Sequence, residues 1–306
     1  MRKKLLFVYN ALAGKGQIKA YLCDIIDVFT KNGYDVTAYP TQARLDGFEK
    51  IKAEAHRYDM VVVSGGDGTL SEAIKGLMGV PRKVPLGYIP AGTTNDFAAS
   101  LEIPRGMLSA AEDIVNGLQF AYDVGEFNGE FFSYVAAFGA FTEVAYQTSQ
   151  GYKNVFGHAA YILEGLKSIP KIEAHVVTVE HDSERFQGEF ILGLITNTIS
   201  IGGMKKLAKS GVVFDDGLFE VTLIRMPNNP IELQSILTKV VLSDTDSKYF
   251  CTFKTSRVKF TSDNEISWTL DGENGGKWCE VEIINHKQAV NLMIKNDEQE
   301  KLPLLN

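Results

Sequence analysis

Asp67 is a carboxylate set among glycines, in the segment Val61-Val62-Val63-Ser64-Gly65-Gly66-Asp67-Gly68-Thr69-Leu70-Ser71-Glu72. A β-branched run ends there in a glycine cluster, and a helical pattern starts at once. Bare backbone at Gly65, Gly66 and Gly68 lets a ligand approach closely, and the first N–H groups of the following helix point at it, which is the layout of a phosphate-binding turn. The acid is the anomaly. A carboxylate repels phosphate unless a divalent cation, an ordered water or a hydroxyl lies between them. No lysine follows at the P-loop spacing, and Gly-Asp-Gly-Thr-Leu-Ser lacks the third glycine of a dinucleotide fingerprint. A plain glycine-rich strand-to-helix turn competes with the phosphate reading until further loops are added.

Two more loops share this chemistry. After a strand-like run from Val84 to Ile89 come Pro90-Ala91-Gly92-Thr93-Thr94-Asn95-Asp96-Phe97, rich in donors and carrying a second acid, Asp96. Thr94 or Asn95 is also good capping chemistry for a helix entering Phe97-Ala98-Ala99. The third loop, Asn10-Ala11-Leu12-Ala13-Gly14-Lys15-Gly16, lies between a strand from Lys3 to Tyr9 and a helix from Gln17 to Lys31. Three such loops describe one crevice at the carboxyl edge of a parallel sheet.

Later acids sit beside glycines too. Ile266, Trp268 and Leu270 alternate as one face of a strand that ends in Asp271-Gly272, a strong hairpin signal, with Glu273 next. On that evidence alone Glu273 reads as a solvated acid beside a turn. Asp215-Asp216-Gly217-Leu218 can offer a carboxylate and nearby carbonyl oxygens to a hard cation such as Mg²⁺, or can be a tight turn. Asp123 is a polar residue in a strand-like run.

The elements that carry these residues change character along the chain. The first part alternates strand and helix, adding a strand from Tyr34 to Tyr39, a helix from Asp46 to Arg57 and the valine strand, so a parallel sheet is expected. From about Tyr122 the texture is antiparallel β: strands over 122–128, 131–137, 175–181, 186–196 and 218–225, a turn at Asn128-Gly129, and helices over 152–168 and 230–242. The expected domains are 1–127, α/β, and 128–306, β-rich.

GGDGTLSE at 65–72, GTTNDF at 92–97, FDDGLF at 214–219 and LDGENGG at 270–276, in this order, resemble the soluble bacterial diacylglycerol kinases within the diacylglycerol and sphingosine kinase group. The resemblance covers nearly the whole chain. It implies an N-terminal nucleotide domain of the NAD-kinase and phosphofructokinase type, a C-terminal mainly antiparallel β domain that takes the lipid, and a C-terminal segment returning to the first domain. The implied reaction moves the γ-phosphate of MgATP to the hydroxyl of diacylglycerol, giving phosphatidic acid. ATP would be held by Asn10, Ala11, Leu12, Ala13, Gly14, Thr41, Gly65 through Glu72, Gly92 and Thr93. Asp67 and Asp96 would organise Mg²⁺ or water. Glu273 would be the general base, supported by Asp271. Asp216 and the carbonyls of Val213 and Leu218 would hold a structural Mg²⁺, and Asp123 would join a hydrogen-bonded network of aspartates, waters and Mg²⁺ reaching the nucleotide.

Composition sets the outer bounds. The chain has 306 residues, 45% hydrophobic and 23% charged, which fits about two globular domains. A net charge of −7 and the lack of a basic tract with interleaved aromatics disfavour nucleic acid. Three scattered cysteines, Cys23, Cys251 and Cys279, indicate neither zinc nor disulfides and suit a reducing cytoplasm. Arg2-Lys3-Lys4 before Leu5 to Tyr9 imitates a signal peptide but is too short, and no run approaches a membrane span. The protein is therefore expected to be cytoplasmic and to visit the bilayer peripherally. Candidate contacts are the segment Ile201 to Lys209, whose three lysines fall short of a typical lipid-binding cluster and read better as a solvated loop, and for acyl chains Phe138 to Phe141 and Tyr152 to Tyr161, which read equally well as core. The oligomeric state is open, a homodimer included. Competing functions are a kinase of phosphatidylglycerol or a sphingoid base, an NAD kinase, and a non-catalytic nucleotide-binding regulator.

Overall fold

The computed structural model describes residues 2–139, 173–198, 200–201, 204–205, 212–242 and 247–296. By compactness the chain forms two units, Met1–Tyr122 with the chain from Gln288 onward, and Asp123–Lys287. The division thus falls five residues before the boundary expected after 127, and the last segment groups with the first unit.

In the first unit, strands β1 (Lys3–Tyr9), β2 (Tyr34–Pro40), β3 (Met60–Gly65) and β4 (Leu86–Pro90) pair in parallel in the order β2-β1-β3-β4. Every residue of β3 and β4 is buried, as expected of strands covered on both faces. Helix α1 (Ile18–Lys31) buries Ile18, Ile25 and Phe29 in a cluster with Leu5, Phe7, Val62 and Ile89. Helices α2 (Asp46–Glu54) and α3 (Asp67–Met78) pack on each other, and Ile51 touches the backbone face at Gly76. A three-residue 3-10 turn completes the helical stretch expected up to Arg57. Then come the short α4 (Asp96–Ser100) and α5 (Met107–Asn116); α5, absent from the sequence reading, packs Ile114 on Gly87 of β4.

Strand β5 (Leu118–Phe127) starts earlier than expected. Asn128 and Gly129 follow it with φ of 46° and 89°, the left-handed pair of a type I′ hairpin turn. The strand expected over 131–137 is two, β6 (Glu130–Phe132) and β7 (Val135–Gly139). The ladder breaks at Ser133 and Tyr134 because their N–H groups, with that of Val135, all donate to the Asp271 carboxylate.

The second unit continues with β8 (His175–His181), β9 (Glu184–Thr196), the small ribbon of β10 (Ser200–Ile201) and β11 (Met204–Lys205), then β12 (Phe219–Arg225), α6 (Pro230–Leu242), β13 (Phe250–Thr255), β14 (Arg257–Leu270) and β15 (Glu273–Ile294). Its pairings are antiparallel, β13-β12-β9-β7-β14-β15, with β8 against β9 and β14. Trp268 is the hub of this core, with ring centroids of Phe138, Phe127 and Phe260 at 4.8, 5.1 and 5.4 Å. Phe138 is therefore core. Phe141, 152–168 and most of 201–209 lie outside the described residues. The end of β15 belongs to the first unit, where Leu292 pairs in parallel with Leu86. Among the described residues no helix is long and apolar enough to cross a membrane.

Candidate active site

Because β1 to β4 run in parallel, the loops after them share one edge. β2 lies on one side of β1 and β3 on the other, so the strand order reverses between β1 and β3, where open α/β sheets place their ligands. The loops 10–16 and 65–68 flank that point. Asn10 starts the first loop by donating its N–H to Ser64 O at 2.9 Å and accepting Leu12 N–H on Oδ1 at 2.9 Å. Gly14 has φ +54°, and a Cβ there would stand 2.0 Å from Ala91 O. A Cβ on Gly92 would stand 2.6 Å from Gly66 Cα. Loops 10–16, 65–68 and 91–95 thus meet backbone to backbone, and side chains are excluded by space.

Asp67 is the joint between two of them. Its Oδ2 accepts the N–H of Asp96 and its Oδ1 that of Phe97, both at 3.2 Å. The carboxylate at the start of α3 therefore caps α4 across 29 and 30 residues of sequence. This corrects the expectation that Thr94 or Asn95 caps that helix. Asn95 has left-handed φ (53°) and folds back on its own loop, Oδ1 accepting Gly92 N–H and Nδ2 donating to Gly92 O, each at 2.9 Å. Beneath the joint, the Tyr88 hydroxyl donates to Gly65 O at 3.1 Å. Burial, and then the nearby Asp67 charge, push the Tyr88 phenol well above its ordinary pKa, so it remains a donor. Tyr88 is not found by sequence reasoning because an aromatic in the middle of a buried strand reads as core. Asp96 is 5% exposed, and Ser100 Oγ donates to its carbonyl.

Thr41 joins the same edge, its N–H donating to Tyr9 O at 2.9 Å. Glu72 reaches away from the glycine loop: Oε1 accepts Leu45 N–H at 2.8 Å, holding a leucine whose φ is +64°. Gly65, Gly66, Gly68, Thr69, Leu70 and Ser71 form the turn and first helical turns of α3, with Thr69 N–H donating to Gly66 O. A separate cavity of about 460 Å³ opens at the amino ends of the strands, lined by Lys3, Tyr34, Asp59, Arg82 and Lys83 among others; it contains none of the site residues.

The second unit gathers the remaining acids in two places. Asp271, 7% exposed with φ 51°, receives Ser133 N–H on Oδ2 at 2.7 Å and those of Tyr134 and Val135 on Oδ1 at 2.9 and 3.2 Å. Its own N–H donates to Val135 O. Asp271 and Gly272 form the two-residue turn between β14 and β15, and Glu273, exposed, is the first residue of β15. Around Gly217, Asp123 is fully buried. Its N–H donates to Phe214 O and its Oδ2 accepts Gly217 N–H at 2.6 Å. Asp216 Oδ1 accepts Leu218 N–H at 2.9 Å, and Val213 is 43% exposed. Among the described residues no three His, Cys, Asp or Glu converge on a metal position. The candidate donors at this turn are one carboxylate and main-chain carbonyls, an all-oxygen set that suits Mg²⁺.

Residues 4–127 match the model of the diacylglycerol kinase catalytic domain. The chain is 32% identical to a diacylglycerol kinase of Bacillus subtilis (strain 168), over 98% of this chain and 99% of that protein. It belongs to the diacylglycerol kinase family. A diacylglycerol kinase of Staphylococcus saprophyticus is 33% identical over 97% of each chain. A crystal structure of a diacylglycerol kinase from Bacillus anthracis str. Sterne superposes with TM-score 0.78 at 20% identity, covering 96% of this chain and 98% of that one, and shares its fold. The family is one of enzymes.

Proposed function

We propose that this family member transfers the γ-phosphoryl group of MgATP to the hydroxyl of diacylglycerol, giving phosphatidic acid. The observation that carries the reading is the Asp67 carboxylate, which locks the GGDG and GTTND loops together beside the Gly14 backbone at the reversal of strand order. Preset backbone donors in such loops supply positioning and charge neutralisation, the main needs of phosphoryl transfer. In this reading the first unit holds ATP with residues 10–14, Thr41, 65–71, Gly92 and Thr93, Glu72 being turned away to Leu45, and the second unit takes the lipid. Tyr88, Asn95 and Glu72 position the loops. Asp67 and Asp96 orient water and cation at the phosphates. Mg²⁺, when bound, would supply charge neutralisation at the phosphates, and Asp216 with the Val213 and Leu218 carbonyls would hold a second ion at the turn that Asp123 also holds. Glu273 accepts the hydroxyl proton, and Asp271 fixes the turn from which Glu273 projects. The acceptor is met at a membrane surface, from the cytoplasmic side.

The test is phosphate transfer from labelled ATP with Mg²⁺ to diacylglycerol, phosphatidylglycerol, ceramide and sphingosine in mixed micelles, with NAD as a soluble control and Glu273→Ala alongside. Labelled phosphatidic acid that depends on Glu273 is the expected result. Label in another lipid changes the acceptor, label in NAD overturns the lipid reading, and label in none overturns the catalytic one.

A further inference from the structure

Glu220 and Lys254 belong to none of the four motifs, yet they complete the FDDGLF turn. They face each other across the β12–β13 pair, directly in register. Glu220 is 7% exposed. Its Oε1 lies 2.8 Å from Lys254 Nζ, while Oε2 is buried without a hydrogen-bond partner among the described residues. The same ammonium lies 3.7 Å from Asp216 Oδ2, the oxygen that Leu218 N–H leaves over. One half-exposed cation therefore stands between two carboxylates, one of which is a buried acid with an idle oxygen.

We propose that Lys254 is the resident counter-cation of this turn, and that Mg²⁺ binds there only by displacing it, with Glu220 joining Asp216 as a second carboxylate ligand. This rests on the reading that Asp216 helps to hold Mg²⁺. The chemistry favours the exchange: Mg²⁺ is commonly bound through one or two carboxylates with water filling the remaining positions. An ammonium left beside a divalent ion is disfavoured, because at about 4 Å their repulsion even in water corresponds to roughly a 30-fold loss of affinity. Lys254 is 41% exposed at its side chain and can swing into solvent, so its removal is worth less than that, about tenfold.

The experiment is calorimetric titration of the nucleotide-free full chain with MgCl₂ at pH 8, with unfolding temperature followed in parallel. Lys254→Met is expected to bind Mg²⁺ about tenfold more tightly than the parent, and to gain more in unfolding temperature on adding Mg²⁺. Should Lys254→Met fail to fold, Glu220→Gln, which removes the second ligand charge, is expected to weaken Mg²⁺ binding relative to the parent. Unchanged or weaker binding in Lys254→Met, or unchanged binding in Glu220→Gln, overturns the proposal. Asp216→Asn separates the two levels: Mg²⁺ binding indifferent to it overturns the Asp216 reading itself, whereas binding that needs Asp216 but ignores Lys254 and Glu220 overturns only the exchange.

Discussion

Asp271→Ala and Asp271→Asn differ in a way that the structure makes quantitative. The carboxylate takes three N–H groups in a buried setting. Alanine leaves all three without an acceptor, at about 1 kcal/mol or more each, and adds about 1 kcal/mol because φ of 51° suits Asp but not a Cβ without a polar tip, for a total near 4 kcal/mol. Asparagine tolerates that φ and keeps one oxygen for Tyr134 and Val135, but turns an NH₂ toward Ser133 N–H; about 2 kcal/mol is expected, near the value of one charge-assisted bond. Both tryptophans, Trp268 and Trp278, lie in the second unit, so urea unfolding followed by tryptophan fluorescence reads this unit directly. The order parent, Asn, Ala is expected. Alanine within 1 kcal/mol of the parent, or asparagine as costly as alanine, would refute the argument. In turnover, Asp271→Asn should lower kcat with the KM for ATP and the shape of the pH profile retained. Loss of a pH limb would instead make Asp271 a proton carrier.

Glu273→Gln should cut turnover by about 10²- to 10⁴-fold with unfolding temperature unchanged, since the side chain is exposed; parent-like turnover removes it from the chemistry. Gly14→Ala must move Ala91 or its own loop, because its Cβ would meet a carbonyl oxygen; ATP binding measured by calorimetry should weaken at least tenfold, and parental affinity would contradict the close contact. The Asn228 N–H, and then Lys248, hold the Glu232 carboxyl down to about 2 at the start of α6. A lowered acid stabilises the fold above its ordinary range, so this contribution is full above about pH 4.5 and disappears as pH falls toward 2. Amide exchange in the first turn of α6 should accelerate across that window, and Glu232→Gln should abolish the dependence.

The parallel half was legible because its signals are local: β-branched runs, glycine clusters and helix starts lie side by side in the chain. The Asp271-Gly272 and Asn128-Gly129 hairpins were legible for the same reason. What could not be read were contacts between distant residues. Nothing near Asp67 says that its oxygens belong to Asp96 and Phe97, and capping rules rightly favoured the nearer Thr94 and Asn95. Nothing in 131–137 announces that an acid 138 residues away from Ser133 interrupts the strand. Glu220 and Lys254 look like any alternating strand charges until register sets them opposite each other. The partners that distinguish Asp67, Asp123 and Asp271 are tertiary.

The Asp67 cap also has a consequence for the order of folding. A helix of five residues cannot sustain itself in water, and α4 has no cap of its own. It can form only after β3 and the start of α3 have delivered a carboxylate to its first turn. The amides of Asp96 and Phe97 should then exchange with solvent in the same opening event as the glycine turn. On the proposed reading, in which both loops hold the nucleotide, they would become competent to bind together rather than one after the other.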